Sequence, residues 1–364
     1  MSLSQVHVRK DELTNATVVA ADAGDLADGA VRLKVESFSV TANNITYAVV
    51  GDGFGYWNFF PPTGGDTEGK GIVPMWGHAQ VIESNHSDIP VGERVYGYLP
   101  MATHLDVRPG NISEASFSDM TDYRQPMSPV YNQYSRLAAD PEHDPERENE
   151  RMIYGPLFKT GFIIDYFMRS EEWFGAGKVI LTSASSKTAM GLASVAKQNS
   201  PQIKRIGLTS AGNVDFVEST GLYDEVFTYD EIGMLPISEC VSVDFAGNAE
   251  VLKKLHEHLG DMLKYSCLVG ATHIEARSTF SGGADLPGPK PTLFFAPDHF
   301  VAFFKEHGPV EGGTMIAKTW HGFLSAVGGT VDIVTLKGLE AARSTYLEMI
   351  GGSIDPAKGI VIEP

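Results

Sequence analysis

Residues 178–189 read KVILTSASSKTA, and the order of residue types in that stretch decides the fold. A short apolar run gives way to small and hydroxylated residues, then to the helical pattern TAMGLASVAKQ at 188–198. A buried strand that turns tightly into a helix opens a dinucleotide fold: small residues let the backbone approach a pyrophosphate, and the amides of the helix N-terminus meet its charge. The usual G-x-G-x-x-G appears as Ala184-x-Ser186-x-x-Ala189. All three positions hold small residues and none holds glycine, so the motif draws its weight from its placement. Ser183, Ala184, Ser185, Ser186, Lys187, Thr188 and Ala189 are therefore the expected cofactor contacts of this turn. Lys187 followed by Thr188 superficially suggests a triphosphate P-loop, but that motif needs a glycine where Ser186 stands. Lys187 reads either as a neutraliser of cofactor phosphates or as a surface lysine beside a helix start.

The chain that follows repeats the rhythm. RIGLTS (205–210), EVFTY (225–229), VSVDFAG (241–247), YSCLVG (265–270) and TLFFAP (292–297) are short apolar runs. VDFVESTG (214–221) and NAEVLKKLHEHLG (248–260) are helical patterns between them. Such alternation predicts an α/β domain with a parallel sheet covered on both faces. Its ligand should lie outside the carboxyl ends of the strands. The second strand ends in Thr209, Ser210, Ala211, Gly212 and Asn213, with no acid before Asp215. Hydroxyl and amide donors suit a 2′-phosphate and a carboxylate would repel one, so Thr209, Ser210 and Asn213 favour NADP(H) over NAD(H). Gly247 and Gly270 follow the fourth and fifth strands, where the backbone either passes close to the dinucleotide or simply turns.

Upstream, VRLKVESFSV (31–40) and HAQVIES (78–84) alternate apolar and polar residues as half-buried strands do. Glycine and proline punctuate 51–74, which reads as a long loop, and PEHDPERENER (141–151) reads as a solvated loop or short surface helix. The 364 residues carry 28 basic against 46 acidic side chains, a formal −18, the wrong sign for nucleic acid or an anionic membrane. At 43% hydrophobic and 20% charged, without biased tracts, the chain is that of a folded protein. No run approaches the ~20 apolar residues of a membrane helix, and the amino terminus lacks a signal-peptide pattern, so a cytoplasmic protein with a small-molecule substrate is expected. Cys240 and Cys267, the two cysteines, cannot build a disulfide framework or a four-thiolate zinc site.

Four stretches carry a resemblance, in order and nearly end to end: VRLKVESFSVTANNITYAV (31–49), VPMWGHAQVIESNHSDIPVGERVYGY (73–98), GAGKVILTSASSKTAMGLASVAK (175–197) and GLEAARSTYLEMIGGSIDPAKGIVIEP (338–364). They resemble the medium-chain dehydrogenase/reductase superfamily, on its zinc-independent quinone reductase branch, and more closely the bacterial DUF2855 family. The resemblance implies a Rossmann-like doubly wound sheet (158–310) inserted into a mostly β, GroES-like outer domain (1–157 and 311–364), and a homodimer. It places Tyr47 and Asn44 at a substrate-pocket turn and Thr160 beside the nicotinamide ribose. Tyr131 and Tyr134 either line the pocket mouth or pack a loop. In the family's G-H-E motif the histidine survives as His78 and the glutamate is replaced by Ala79. A catalytic zinc needs three protein ligands and no cysteine before Cys240 can supply one, so no metal is expected. His78 is then expected as a structural, hydrogen-bonded histidine.

The activity implied is a zinc-independent, NADP(H)-dependent hydride transfer to an enone, quinone or carbonyl. Developing oxyanion charge would be met by Tyr47, or by water held on Asn44. The alternative is a catalytically silent NADP(H)-binding sensor or scaffold, suggested by the glycine-free turn and the lack of a compelling acid or base.

Overall fold

The computed structural model describes residues 2–245, 247–269, 286–352 and 355–364. The chain divides into two compact units, Met1–Ile153 with Ile333–Pro364, and Tyr154–Asp332.

The first unit opens with β1 (Ser2–Arg9), β2 (Ala16–Asp22) and β3 (Val31–Val40), followed by helix α1 (Ala42–Val49). After a loop come β4 (Lys70–Gly71), β5 (Pro74–Ser84), β6 (Arg94–Pro100), β7 (His104–Val107), β8 (Pro109–Gly110), β9 (Ser116–Asp119) and β10 (Gln133–Arg136). Strands β2-β1-β4 form a small sheet. In β3, Val31, Leu33 and Val35 are buried while Lys34 is exposed, as the alternation requires. Its pairing with β5 is shifted between Val35 and Ser37. Just beyond the shift Gly77 lies opposite Phe38, and a Cβ there would sit 2.2 Å from the Ser37 carbonyl oxygen, so only glycine permits this approach. The segment expected as a turn after β3 is a helix: Asn44 Oδ1 accepts from the Thr41 amide (2.6 Å) and caps α1.

Helix α2 (Glu148–Ser170) corrects the reading of 141–151 as a solvated segment. Glu148 accepts two bonds from the Arg94 guanidinium (2.7 and 2.9 Å) and lies 2.8 Å from His143 Nε2. Arg151 is 3% exposed and pairs with Asp140. These charges form a partly buried network whose acid sits favourably in the first turn of a helix. Pro156 has no amide to return to the Met152 carbonyl, and Ser39 Oγ donates to that oxygen instead (2.6 Å).

The second unit is built on β11 (Lys178–Leu181), β12 (Lys204–Thr209), β13 (Glu225–Thr228), β14 (Cys240–Asp244), β15 (Leu263–Leu268) and β16 (Thr292–Leu293). They pair in the order β13-β12-β11-β14-β15-β16, every pair parallel. This is the 3-2-1-4-5-6 order of doubly wound dinucleotide sheets. β14 is buried along its whole length, as a strand covered on both faces must be. Helices α3 (Lys187–Asn199), α4 (Val214–Ser219) and α5 (Ala249–Leu259) follow their strands. α5 buries Val251, Leu252, Leu255 and Leu259 on one face, is capped by Asn248 Oδ1, and stops at Gly260, whose φ is 48°.

Helix α6 (Ala296–Val327) breaks at Gly308 (φ 74°) ahead of Pro309 and then resumes. The return to the first unit therefore falls at Ile333, not at 311, and its start falls at Tyr154, not 158. Strand β17 (Asp332–Lys337), helix α7 (Leu339–Ile350) and β18 (Lys358–Glu363) complete the described chain. The larger sheet of the first unit runs β17-β18-β3-β5-β6-β10-β9-β8, with β7 also on β3.

Candidate active site

In the second unit the strand order reverses between β11 and β14, and the residues just past both strands are tied together. Thr182 Oγ1 donates to Asp244 Oδ1 and accepts the Phe245 amide (3.2 Å). Gly247, at φ 70°, returns its amide to Asp244 Oδ2 (3.0 Å), so the glycine closes a turn at the crevice. Gly270 lies outside the described residues.

The turn after β11 uses Ser183, not Ala184, as its tight position: Ser183 has φ 48°, a left-handed backbone uncommon for a serine. The Ser183 amide donates to Tyr229 Oη (3.1 Å), and Tyr223 Oη donates to the Ala184 carbonyl (2.7 Å). Ala184 itself is fully buried and donates its amide to the Leu208 carbonyl (3.0 Å). A Cβ on Gly207 would lie 3.0 Å from the Ala184 Cβ, so glycine on β12 supplies room that the turn itself does not. Ser186 caps α3, its Oγ accepting the Ala189 amide (3.2 Å). Lys187 and Thr188 are half-buried in the first turn of α3, where amides lack intrahelical partners, and Ala189 is buried against the core.

At the end of β12, Thr209 Oγ1 is buried and has no partner among the described residues. Asn213 Nδ2 donates to Ser185 Oγ (3.2 Å), linking the two strand ends, and Ser210 is exposed beside them. Asp215, exposed in the first turn of α4, is the nearest downstream acid. The orphaned hydroxyl, the amide–hydroxyl pair and the capped helix start fit an anionic dinucleotide.

Thr160 lies on α2, half-buried, with its hydroxyl donated to the Pro156 carbonyl (3.1 Å). Its neighbour Gly161 was not anticipated. A Cβ there would sit 2.4 Å from the Leu192 amide nitrogen, and one on Gly191 would sit 3.0 Å from the Phe158 Cα. α2 and α3 thus cross backbone to backbone, fixing the helix whose N-terminus faces the crevice.

In the first unit, Tyr47 lies on α1 within a cluster of rings. Its ring is 4.5 Å from Tyr56 and 5.5 Å from Tyr98 by centroid. Tyr47 Oη accepts from Asn43 Nδ2 (2.6 Å) and Trp76 Nε1 (3.1 Å). Burial pushes this hydroxyl up to about 12, although those two donors pull it down. With its lone pairs engaged and its proton held, the phenol is a hydrogen-bond donor. Sequence reading missed Asn43 and Trp76 because the first contact is a helical i,i+4 pair and the second crosses from β5.

Asn44 does not share this role. Its amide accepts from Thr41, donates to the Pro74 carbonyl (2.8 Å), and is 1% exposed, which makes it a cap and a tie. Tyr134 donates to the Tyr98 carbonyl (2.6 Å) and accepts from Arg124, so it packs its loop. Tyr131 Oη lies 2.9 Å from Tyr56 Oη inside the ring cluster. His78 is buried, but neither ring nitrogen has a hydrogen-bond partner among the described residues, contrary to the expectation. Burial keeps it neutral, its pKa lowered to about 3. Among the described residues no three His, Cys, Asp or Glu side chains converge as metal ligands.

A family model described as "Protein of unknown function (DUF2855)" matches residues 38–355. The chain belongs to this family. None of the curated proteins matches the chain. Among solved structures, this DUF2855 member is similar to the yhdH oxidoreductase from Salmonella enterica in complex with NADP, at 13% identity, 99% of each chain covered and TM-score 0.55. It is similar to the quinone oxidoreductase from Coxiella burnetii, at 14% identity, 100% of each chain covered and TM-score 0.55. It is also similar to a mutant form of enoyl thioester reductase from Candida tropicalis, at 13% identity, 100% of each chain covered and TM-score 0.54. At such identities the likeness is one of fold: the DUF2855 chain shares the two-unit α/β architecture of these oxidoreductases. No described helix of the DUF2855 chain is long and apolar enough to cross a membrane.

Proposed function

We propose that the protein is an NADP(H)-dependent, zinc-independent oxidoreductase acting on an activated alkene, quinone or carbonyl. The observation that carries this reading is the 3-2-1-4-5-6 parallel sheet with a serine-capped helix start at its switch point. Bound there, NADPH supplies a hydride. Ser185, Ser186 and the first-turn amides of α3 hold the pyrophosphate. Thr209, Ser210 and Asn213 meet the 2′-phosphate without an opposing carboxylate. The complex of the S. enterica oxidoreductase with NADP supports the choice of cofactor.

Tyr47 is the group we assign to the substrate oxygen. Asn43 and Trp76 both donate to this hydroxyl, so what it has to offer a substrate oxygen is its proton. The names of the C. burnetii and C. tropicalis proteins support a quinone or enoyl acceptor. The absence of the glutamate at Ala79 and of any cysteine before Cys240 supports chemistry without zinc. A homodimer in the cytoplasm belongs to the same reading.

The test is a titration of the purified protein with NADPH and NADH, followed by nicotinamide fluorescence. NADPH should bind at least ~10-fold tighter, about 1.4 kcal/mol. A panel of quinones and enones should then show turnover. If neither nucleotide binds, the oxidoreductase reading falls. Binding without turnover of any acceptor would instead leave a silent NADP(H)-binding protein.

A further inference from the structure

We propose that Tyr229 and Tyr223 are positioning residues that hold the phosphate turn in shape, in place of the glycine it lacks. This rests on the dinucleotide reading above. Ser183 occupies a left-handed backbone conformation (φ 48°) that L-residues disfavour and glycine adopts freely. The two phenols flank β13, one preceding it and one following it, and both reach this turn. Tyr229 Oη accepts the Ser183 amide (3.1 Å) and lies 3.4 Å from Ser183 Oγ. Tyr223 Oη donates to the carbonyl of the next residue, Ala184 (2.7 Å). The Ala184 amide is bound to the Leu208 carbonyl (3.0 Å), so consecutive peptide groups of the turn are anchored to the β12–β13 side of the sheet.

The Tyr223 ring also stands 3.0 Å from where a Cβ on Gly207 would be, so Gly207, Ala184 and Tyr223 interlock. The clamp fixes the direction in which the chain leaves Ser183 for the N-terminus of α3. Because Tyr229 already holds the Ser183 amide, phosphate recognition falls to the groups that follow: the Ser185 and Ser186 hydroxyls and the first-turn amides. Tyr229 then acts on the pyrophosphate shared by both nicotinamide cofactors, through the backbone, and not on the 2′-phosphate found in only one.

The experiment is a fluorescence titration of wild-type protein, Tyr229→Phe, Ser183→Gly and the double variant with NADPH and with NADH. Tyr229→Phe should weaken both by the same factor, roughly three- to tenfold, the worth of one hydrogen bond. Ser183→Gly should cancel most of that loss in the double variant, since glycine needs no clamp to keep a positive φ. Loss for NADPH alone, equal loss in both backgrounds, or no loss at all would each overturn the proposal. Failure of the wild type to bind either nucleotide would overturn the dinucleotide reading and the clamp together. Circular dichroism checks the fold, and Tyr223→Phe, read in the same way, carries the test should Tyr229→Phe not fold.

Discussion

Thr182 donates its hydroxyl to the buried carboxylate of Asp244, joining the chain just past β11 to the end of β14 where the strand order reverses. The same hydroxyl accepts the Phe245 amide, so one side chain serves both partners. Thr182→Val keeps the shape and removes both bonds. The Asp244 carboxylate loses one of its donors and the buried Phe245 amide loses its acceptor, at a cost of about 1–3 kcal/mol. A urea midpoint indistinguishable from wild type would refute this.

Gly161, on α2, packs directly against the backbone of α3. Gly161→Ala forces a methyl to within 2.4 Å of the Leu192 amide, which α3 can relieve only by moving. Destabilisation of about 1–3 kcal/mol and weaker dinucleotide binding are expected. Gly177→Ala, before the start of β11 and with nothing within 4 Å of the added carbon, is the control and should leave both unchanged.

Stability should depend on pH through His78. The unfolded chain takes up this proton as pH falls below the ordinary value of 6.5, whereas the folded protein resists until about 3. The folded state is therefore fully favoured above 6.5 and loses up to about 1.4 kcal/mol per pH unit between those limits. Burial is the main cause, with Arg151 and Arg94 adding to it and Glu148 opposing. His78→Leu should flatten that limb of the stability profile relative to wild type, as measured by thermal melts from pH 7 down to 4.

Arg124 is fully buried and holds Asp119, Tyr134, Asn132 and the Tyr131 carbonyl with its guanidinium. Arg124→Met removes the cation paired with the buried Asp119 carboxylate, which keeps only the donors from Arg108 and Thr121, a loss of about 3–5 kcal/mol. Near-UV circular dichroism should report loosening of the tyrosine loop. An unchanged spectrum with unchanged stability would contradict the assignment.

Tyr47→Phe removes the donor assigned to the substrate oxygen while keeping the ring. Once an acceptor is found, kcat should fall about 10²-fold. NADPH affinity should not change. A fall in affinity with kcat intact would point to packing.

Much of the second unit was legible locally. The run KVIL, the small residues after it and the helical spacing of 188–198 are all read from neighbours, and β11 and α3 form where that pattern puts them. What escaped depends on remote partners. Nothing near Ser183 announces Tyr223 or Tyr229, and nothing near 141–151 announces Arg94, whose guanidinium draws Glu148 out of solvent. Helix α1, expected as a turn, has its cap spelled by Thr41 and Asn44, but the β-branched Ile45, Thr46 and Val49 within 42–49 are poor helix formers and mask it. Gly308 followed by Pro309 reads as the end of a helix, yet proline suits the first turn of a new one, so α6 resumes and carries the boundary to Ile333.

The pairing of β18 with β3, Ile360 opposite Val40, has a consequence for biosynthesis. On the ribosome, β3 emerges early, and β18 must wait until the whole of 154–332 has been made. At about 5–20 residues per second, that unit has time to close on itself first. Through that interval part of the β3 edge stays open, its amides and carbonyls available to any other strand. The nascent outer unit, more than the finished protein, is where a holding chaperone would find its client.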